Sequence, residues 1–177
     1  MSKIWFYSIW IVLILFSFSH NRSLENTPEE LLFKIKDTII TGKVVGIMDG
    51  DTFKLLTQDS TLIKVRLANI DCPEKKQPFS TKAKQFISEA IFSKIVEIQV
   101  LKKDRYRRFI ANVKYNDSLN LNYELVKNGF AWHYVKYSKD KQLQSLEDTA
   151  RIKKVGLWQD KKPIAPWIWR DYKKRKK

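Results

Sequence analysis

The chain is short of the residues that bind soft metals or make covalent cross-links. It has one cysteine, Cys72, so no internal disulfide and no cysteine-based zinc site can form. Its two histidines, His20 and His133, lie far apart in sequence. A histidine-rich metal site is therefore not expected, and any metal should be a hard ion on oxygen ligands. Acidic residues are also few, with 19 Asp+Glu against 34 Lys+Arg and a net charge of +15. Such an excess repels itself and is expected to face a polyanion, either nucleic acid or an acidic membrane surface. No internal repeat is visible. What remains is ample for one core: 177 residues, 44% of them hydrophobic and 13% aromatic, suit one domain with appendages.

The N-terminus differs in kind. Residues 4–19, IWFYSIWIVLILFSFS, carry no charge and follow Lys3. That is the layout of a secretory signal, a short basic region before an apolar core. No small-x-small cleavage site is clear, and the absence of cysteine from this segment excludes a lipoprotein anchor. The expectation is an exported protein, secreted or periplasmic. Residues 1–23 then act as a signal peptide or, if uncleaved, as a membrane anchor with the domain facing outward. Residues 24–40 read as a linker.

From residue 41 the pattern becomes regular. Residues 42–48 and 52–57 read as strands. In TLIKVRLA, residues 61–68, the apolar Ile63, Val65 and Leu67 share one face of a third strand. The period then changes. Ala83, Phe86, Ile87, Ala90 and Ile91 recur at three and four, which predicts an amphipathic helix capped by Ser80 or Thr81. Residues 95–101 and 108–115 return to strand. Asn120 is placed to cap a short helix ended by Gly129, and a third helix runs from about 140 to 155, ended by Gly156. This order predicts an α+β fold, a five-stranded OB-type Greek-key β-barrel with three α-helices over residues 41–160. Residues 161–177 read as a Pro/Trp-containing basic tail, far in sequence from the acids.

Those acids raise the question of function. MDGDTF, residues 48–53, places Asp49 and Asp51 around Gly50. One acid and a glycine make a turn, with glycine accepting positive φ. A second acid opening a strand is less easily explained, since aspartate is depleted there. In an up-down meander the third strand ends beside the turn where the second begins. Asp71 therefore returns to Asp51 from about twenty residues away. Two carboxylates on one rim need a cation, and oxygen ligands suit calcium or magnesium. Arg66 lies in the apolar third strand. It either sits on an exposed face or points inward, where a charge must be paired by a carboxylate or a phosphate. Glu74 reads as a helix-start acid or as part of the same cluster. DRYRR, residues 104–108, reads as a solvated turn or a phosphate grip.

The chain resembles the staphylococcal nuclease (thermonuclease) family of calcium-dependent phosphodiesterases. The resemblance rests on DGDT at 49–52, VRLANIDCPE at 65–74, DRYRRFIA at 104–111 and LNYELVKNGFAW at 121–132. TARIKKVGLW at 149–158 and PWIWR at 166–170 add to it, and together these cover about residues 42–170. The resemblance implies that Asp51, Asp71 and the backbone carbonyl of Cys72 hold Ca2+, with Asp49 acting from behind them. It implies that Glu74 is the general base, that Arg66 and Arg108 hold the phosphate, and that Tyr106 and Tyr137 lie near the bound nucleotide. It also implies a monomer that cuts DNA and RNA to 3′-phosphate ends. Three positions depart from the family pattern. Position 72 is usually threonine or a small residue, Ser80 stands before the first helix where glycine is frequent, and position 107, here arginine, is usually glycine. If that turn needs positive φ, Arg107 is strained. The competing readings are a non-catalytic nucleic-acid-binding OB module and a membrane-anchored basic protein that meets anionic lipids through KKRKK. The acid cluster counts against both.

Overall fold

The computed structural model describes residues 37–175. The apolar segment 4–19 and residues 24–36 of the linker lie outside them. Ten backbone positions within the described part take positive φ without being glycine, and two of these bear on the site below.

The barrel is built from β1 (Thr38–Ile47), β2 (Thr52–Thr57), β3 (Leu62–Leu67), β5 (Ile95–Lys103) and β6 (Phe109–Tyr115), with the two-residue β4 (Ile70–Asp71) between β3 and the first helix. β1 begins at Thr38, inside the segment read as linker, because Thr38-Ile39-Ile40-Thr41 is itself a run of β-branched residues paired antiparallel with β5. The first three strands form the expected meander, with Ile47 opposite Phe53 and Thr52 opposite Arg66. β5 and β6 pair antiparallel, and the two-residue β7 (Leu119–Asn120) adds antiparallel to β6. A parallel β3–β6 pairing, Arg66 opposite Ile110, closes the sheet on itself and leaves the five strands without a free edge. Alternate residues point inward: Val44, Phe53, Leu55, Val65, Leu67, Ile98, Val100 and Val113 are buried, several completely.

Three helices cover the barrel as expected. They are α1 (Ser80–Ile91), α2 (Leu121–Lys127) and α3 (Lys141–Ile152). α1 lays Ala83, Ile87 and Ile91 on the core. Its cap differs from expectation: Phe79, in the left-handed region at φ 67°, precedes it, and no side chain caps it. Asn120 does cap α2, its side chain accepting from the amides of Asn122 and Tyr123. Asp140 caps α3 in the same way. Gly129 and Gly156, both at positive φ, end these segments face to face. The Leu157 amide donates to the Gly129 carbonyl at 2.8 Å, and a Cβ on Gly129 would run into the Val155 carbonyl and one on Gly156 into the Gly129 carbonyl.

The expected count of three helices is corrected by a fourth, α4 (Pro166–Arg175). The tail has helix grammar that its composition hid. Pro166 stands at the first turn, where its missing amide costs nothing, and Lys173, Lys174 and Arg175 fill the last turn, where cations suit the helix dipole. A second apolar cluster anchors it. Trp132, Ala150, Leu157, Trp158 and Ala165 are buried together, with Trp167 packed against them. Trp167 stacks parallel on Tyr134 at 5.0 Å. The short β4 pairs antiparallel with β8 (Trp132–His133), so Asp71 and the tail's anchor share one small ladder.

Candidate active site

The meander delivers the acids as its geometry requires. Asp51 ends the β1–β2 turn, and Asp71 sits just past the end of β3. Both are almost wholly buried, Asp71 to 1% exposure. Arg66, opposite Thr52 in the ladder, points between them. Its Nη2 lies 3.0 Å from Asp51 Oδ2 and 2.8 Å from Asp71 Oδ1. Its Nη1 donates to the Leu67 and Ile70 carbonyls. Of the two readings of Arg66, the structure selects the inward one. The same guanidinium answers part of the question posed by the acid pair, because the charge lying between the two carboxylates is an arginine.

The turn that carries Asp51 is packed against the barrel. The Asp51 carbonyl accepts from the Leu67 amide. Its carboxylate accepts from the Thr52 hydroxyl at 2.9 Å and from the Cys72 amide at 3.3 Å. Gly50 does not take the positive φ expected of it. Glycine is needed there for close approach, because a Cβ would stand 2.9 Å from the Cβ atoms of both Ala83 and Cys72. Cys72 closes this contact from the other side, its Sγ donating to the Gly50 carbonyl. Burial pushes that thiol well above its ordinary pKa, so it stays protonated and is not a nucleophile.

Glu74 is about one-third exposed, on the loop between β4 and α1. A residue that sequence reasoning passed over reaches it. Arg170, in α4, donates from Nη1 to Glu74 Oε1 at 2.6 Å and from Nη2 to Asp71 Oδ2 at 2.7 Å. The PWIWR motif was visible, but nothing in its spacing ties it to acids about a hundred residues upstream. The tail is remote in sequence only.

The electrostatics follow from this crowding. Burial and then the Asp51 charge raise Asp49 to about 6. The residue as a whole is exposed, so this reflects partial desolvation of its carboxylate at the rim. Burial also raises Asp71, against the pull of Arg170 and Arg66. Burial opposes the Arg66 charge, but Asp51 and Asp71 outweigh it and hold the guanidinium above its ordinary value. Four carboxylates, Asp49, Asp51, Asp71 and Glu74, meet two guanidiniums, so the cluster retains excess negative charge.

Asp49, Asp51 and Glu74 line one wall of a groove of about 1300 Å³, together with Arg66 and Arg170, while the buried Asp71 does not line it. The other wall is basic and aromatic. Arg108 is held by Asp104, with Nε and Nη2 each 2.8 Å from Oδ2, and the Tyr106 ring lies 5.5 Å from its guanidinium carbon. Tyr106, Tyr134, Tyr137, Lys84, Lys102 and Lys174 also line the groove. Arg107 takes φ 62° at the position where the resemblance expects glycine, and its amide closes the turn onto the Asp104 carbonyl. Asp49, Asp51, Arg66, Cys72, Glu74, Tyr106, Arg108 and Tyr137 therefore share one groove, although Arg108 and the tyrosines stand apart from the acids.

The family model described as Staphylococcal nuclease homologue matches residues 64–160, the span that contains Arg66, Asp71, Glu74 and Arg108. The chain belongs to the staphylococcal nuclease family. It is 45% identical over 134 residues to an uncharacterized endonuclease of Haemophilus influenzae, covering 76% of this chain and 75% of that protein. It is 38% identical over 134 residues to an uncharacterized endonuclease of Escherichia coli, covering 76% and 87%. A micrococcal nuclease of Shigella flexneri is 38% identical over 139 residues, covering 73% and 79%. In this member of the nuclease family the barrel closes through β3–β6, and the arginine of α4 enters the site.

Proposed function

We propose that the protein is a calcium-dependent phosphodiesterase that hydrolyses DNA and RNA and leaves 3′-phosphate ends. The observation that carries this reading is the buried Asp51–Asp71 pair, with Glu74 drawn beside it by a shared guanidinium. A module that only bound nucleic acid would not collect four carboxylates at the end of a phosphate-binding groove, where each repels the ligand.

The residues fit a hard divalent ion. Among the described residues no three His, Cys, Asp or Glu side chains gather into a metal cluster. The set that the resemblance implies, Asp51, Asp71 and the Cys72 carbonyl with Asp49 behind, would need water and substrate to complete it. All are oxygen donors, which suit calcium, and the negative charge left after pairing matches a divalent cation. Bound there, calcium supplies Lewis-acid neutralisation of a phosphoryl oxygen.

The chain's own residues supply the rest. Glu74 takes the proton from the attacking water, a contribution of about 10²–10⁴-fold for a placed general base. Water oxygen bonds to phosphorus as the bond to the 5′ oxygen breaks; that oxygen takes a proton from solvent and leaves as a hydroxyl, and the phosphate stays on the 3′ side. Arg66 and Arg108 hold the phosphate and stabilise the charge that builds on its oxygens. Tyr106 and Tyr137, both well exposed, offer faces for base stacking, which suits single-stranded or frayed substrate. The lysines of the groove provide sequence-independent affinity.

The test is the purified protein with plasmid, single-stranded DNA and RNA, in calcium, in zinc and with chelator. Cleavage of all three in calcium alone is expected, abolished in Asp71→Asn. Activity that survives chelation, or that needs zinc, would refute the metal assignment. We also propose export, motivated by residues 4–19. Cell fractionation should find the protein outside the cytoplasm, and a soluble cytoplasmic pool with Met1 retained would refute it.

A further inference from the structure

We infer that Arg170 is a positioning residue of the active site, which bridges Glu74 and Asp71 so that the general base is held at a fixed place. The inference rests on the reading of Glu74 as that base. Glu74 is on a loop and partly exposed, and a free glutamate there would sample several rotamers. Arg170 removes that freedom with a planar fork. Its Nη2 and Nη1 lie 2.7 Å and 3.3 Å from the two Asp71 oxygens, and Nη1 also reaches Glu74 Oε1. One end of the bridge is thus tied to the least exposed acid in the site. A flexible ammonium cannot reproduce this geometry.

The main chain shows the same coupling independently. Gln77 is buried. Its Oε1 accepts from the Glu74 amide at 2.9 Å, and its Nε2 donates to the Ile164 carbonyl at 2.6 Å. Ile164 lies two residues before α4. The Glu74 loop and the segment that launches α4 are therefore joined at both backbone and side chain. Lys173 adds a bond from α4 to the Lys75 carbonyl. Trp167, stacked on Tyr134, holds the helix in place whether or not Arg170 is present, so the side chain can be changed without freeing the helix.

The test compares the full chain with Arg170→Met, Arg170→Lys, Glu74→Gln and the double variant Glu74→Gln/Arg170→Met. Steady-state cleavage, thermal unfolding and calcium binding without substrate by calorimetry are measured for each. Arg170→Met is expected to lower kcat about ten- to a hundred-fold, the scale of a small misplacement of a reacting group, with KM nearly unchanged. Calcium binding should be retained or tightened, since a neighbouring cation has been removed. Arg170→Lys, which keeps the charge and much of the packing, should recover only part of the loss. On the Glu74→Gln background Arg170→Met should cost almost nothing, because both act through one carboxylate. A kcat equal to or above the parent's, a loss confined to KM, full rescue by lysine, or an undiminished penalty in the double variant would each overturn the inference. So would calcium binding weakened more than tenfold with kcat restored at saturation, which would make Arg170 a support of the metal site. If Glu74→Gln itself is fully active, the reading of Glu74 fails, a result distinct from these.

Discussion

Replacing Arg107 by glycine removes a strained backbone without touching the site. Arg107 holds φ 62°, where an L-residue with a Cβ pays roughly 1–2 kcal/mol. Glycine relieves that strain but adds unfolded-state freedom worth about 0.5–1 kcal/mol. The balance favours the variant by about 0.5–1 kcal/mol, or roughly 1–4 °C in Tm for a chain of this length. The turn should survive, because what holds it is Asp104. Its carboxylate accepts from the amides of Tyr106 and Arg108 and from the Arg108 guanidinium, and the two remaining bonds, from the Asp104 amide to the Arg108 carbonyl and from the amide at position 107 to the Asp104 carbonyl, are kept with glycine. The side chain is exposed. Scanning calorimetry with a cleavage assay on one oligonucleotide measures both sides. A Tm that rises slightly with unchanged kcat/KM is expected, while Arg108→Ala loses activity. A fall in Tm would refute the strain argument. Loss of activity in Arg107→Gly, with Arg108→Ala tolerated, would exchange the roles of the two arginines.

Three further outcomes follow from the packing and charge of the site. Cys72→Ser should keep calcium affinity and turnover within a few-fold, because the hydroxyl can donate to the Gly50 carbonyl as the thiol does, whereas Asp71→Asn loses both; a hundred-fold loss in a folded Cys72→Ser would put the side chain into the chemistry. Gly50→Ala should destabilise the fold by about 1–3 kcal/mol through overpacking, since its Cβ meets Ala83 and Cys72, and a melting temperature equal to the parent's would contradict that close approach. Asp49 and Asp71 are both raised when no metal is bound. Raised acids favour the folded state most at low pH, and that contribution is lost as pH rises above the ordinary carboxylate range, for Asp49 through about 6. Added calcium should therefore raise Tm more at pH 7.5 than at pH 5, and an equal or reversed shift would show that these carboxylates do not bind the ion.

Much of the barrel could be read locally because its signals are local. The inward set of β3 alternates within six residues, and Asn120 and Asp140 cap helices that begin one residue later. The Asp51–Asp71 meeting was also legible, as a consequence of meander direction alone. The Gly50 contact was not, since what it needs is the proximity of α1 and Cys72, neither of which a turn motif announces. Phe79 illustrates the same limit: packing on the second cluster holds it in a left-handed conformation that propensity would assign to glycine. Arg170 was the largest omission. Its helix had readable ends in Pro166 and the final basic turn, but its partners are set by how α4 lies across the β4–β8 ladder, and no sequence period carries that information.

The most direct measurement is cleavage of an end-labelled single-stranded DNA oligonucleotide by the purified protein, with the fragments weighed by mass spectrometry, in calcium and again after chelation. Fragments bearing 3′-phosphate, formed in calcium and absent with chelator, are the expected result. An intact oligonucleotide in calcium, or cutting that chelation leaves undiminished, would contradict a calcium-assisted hydrolysis built on Asp51, Asp71 and Glu74.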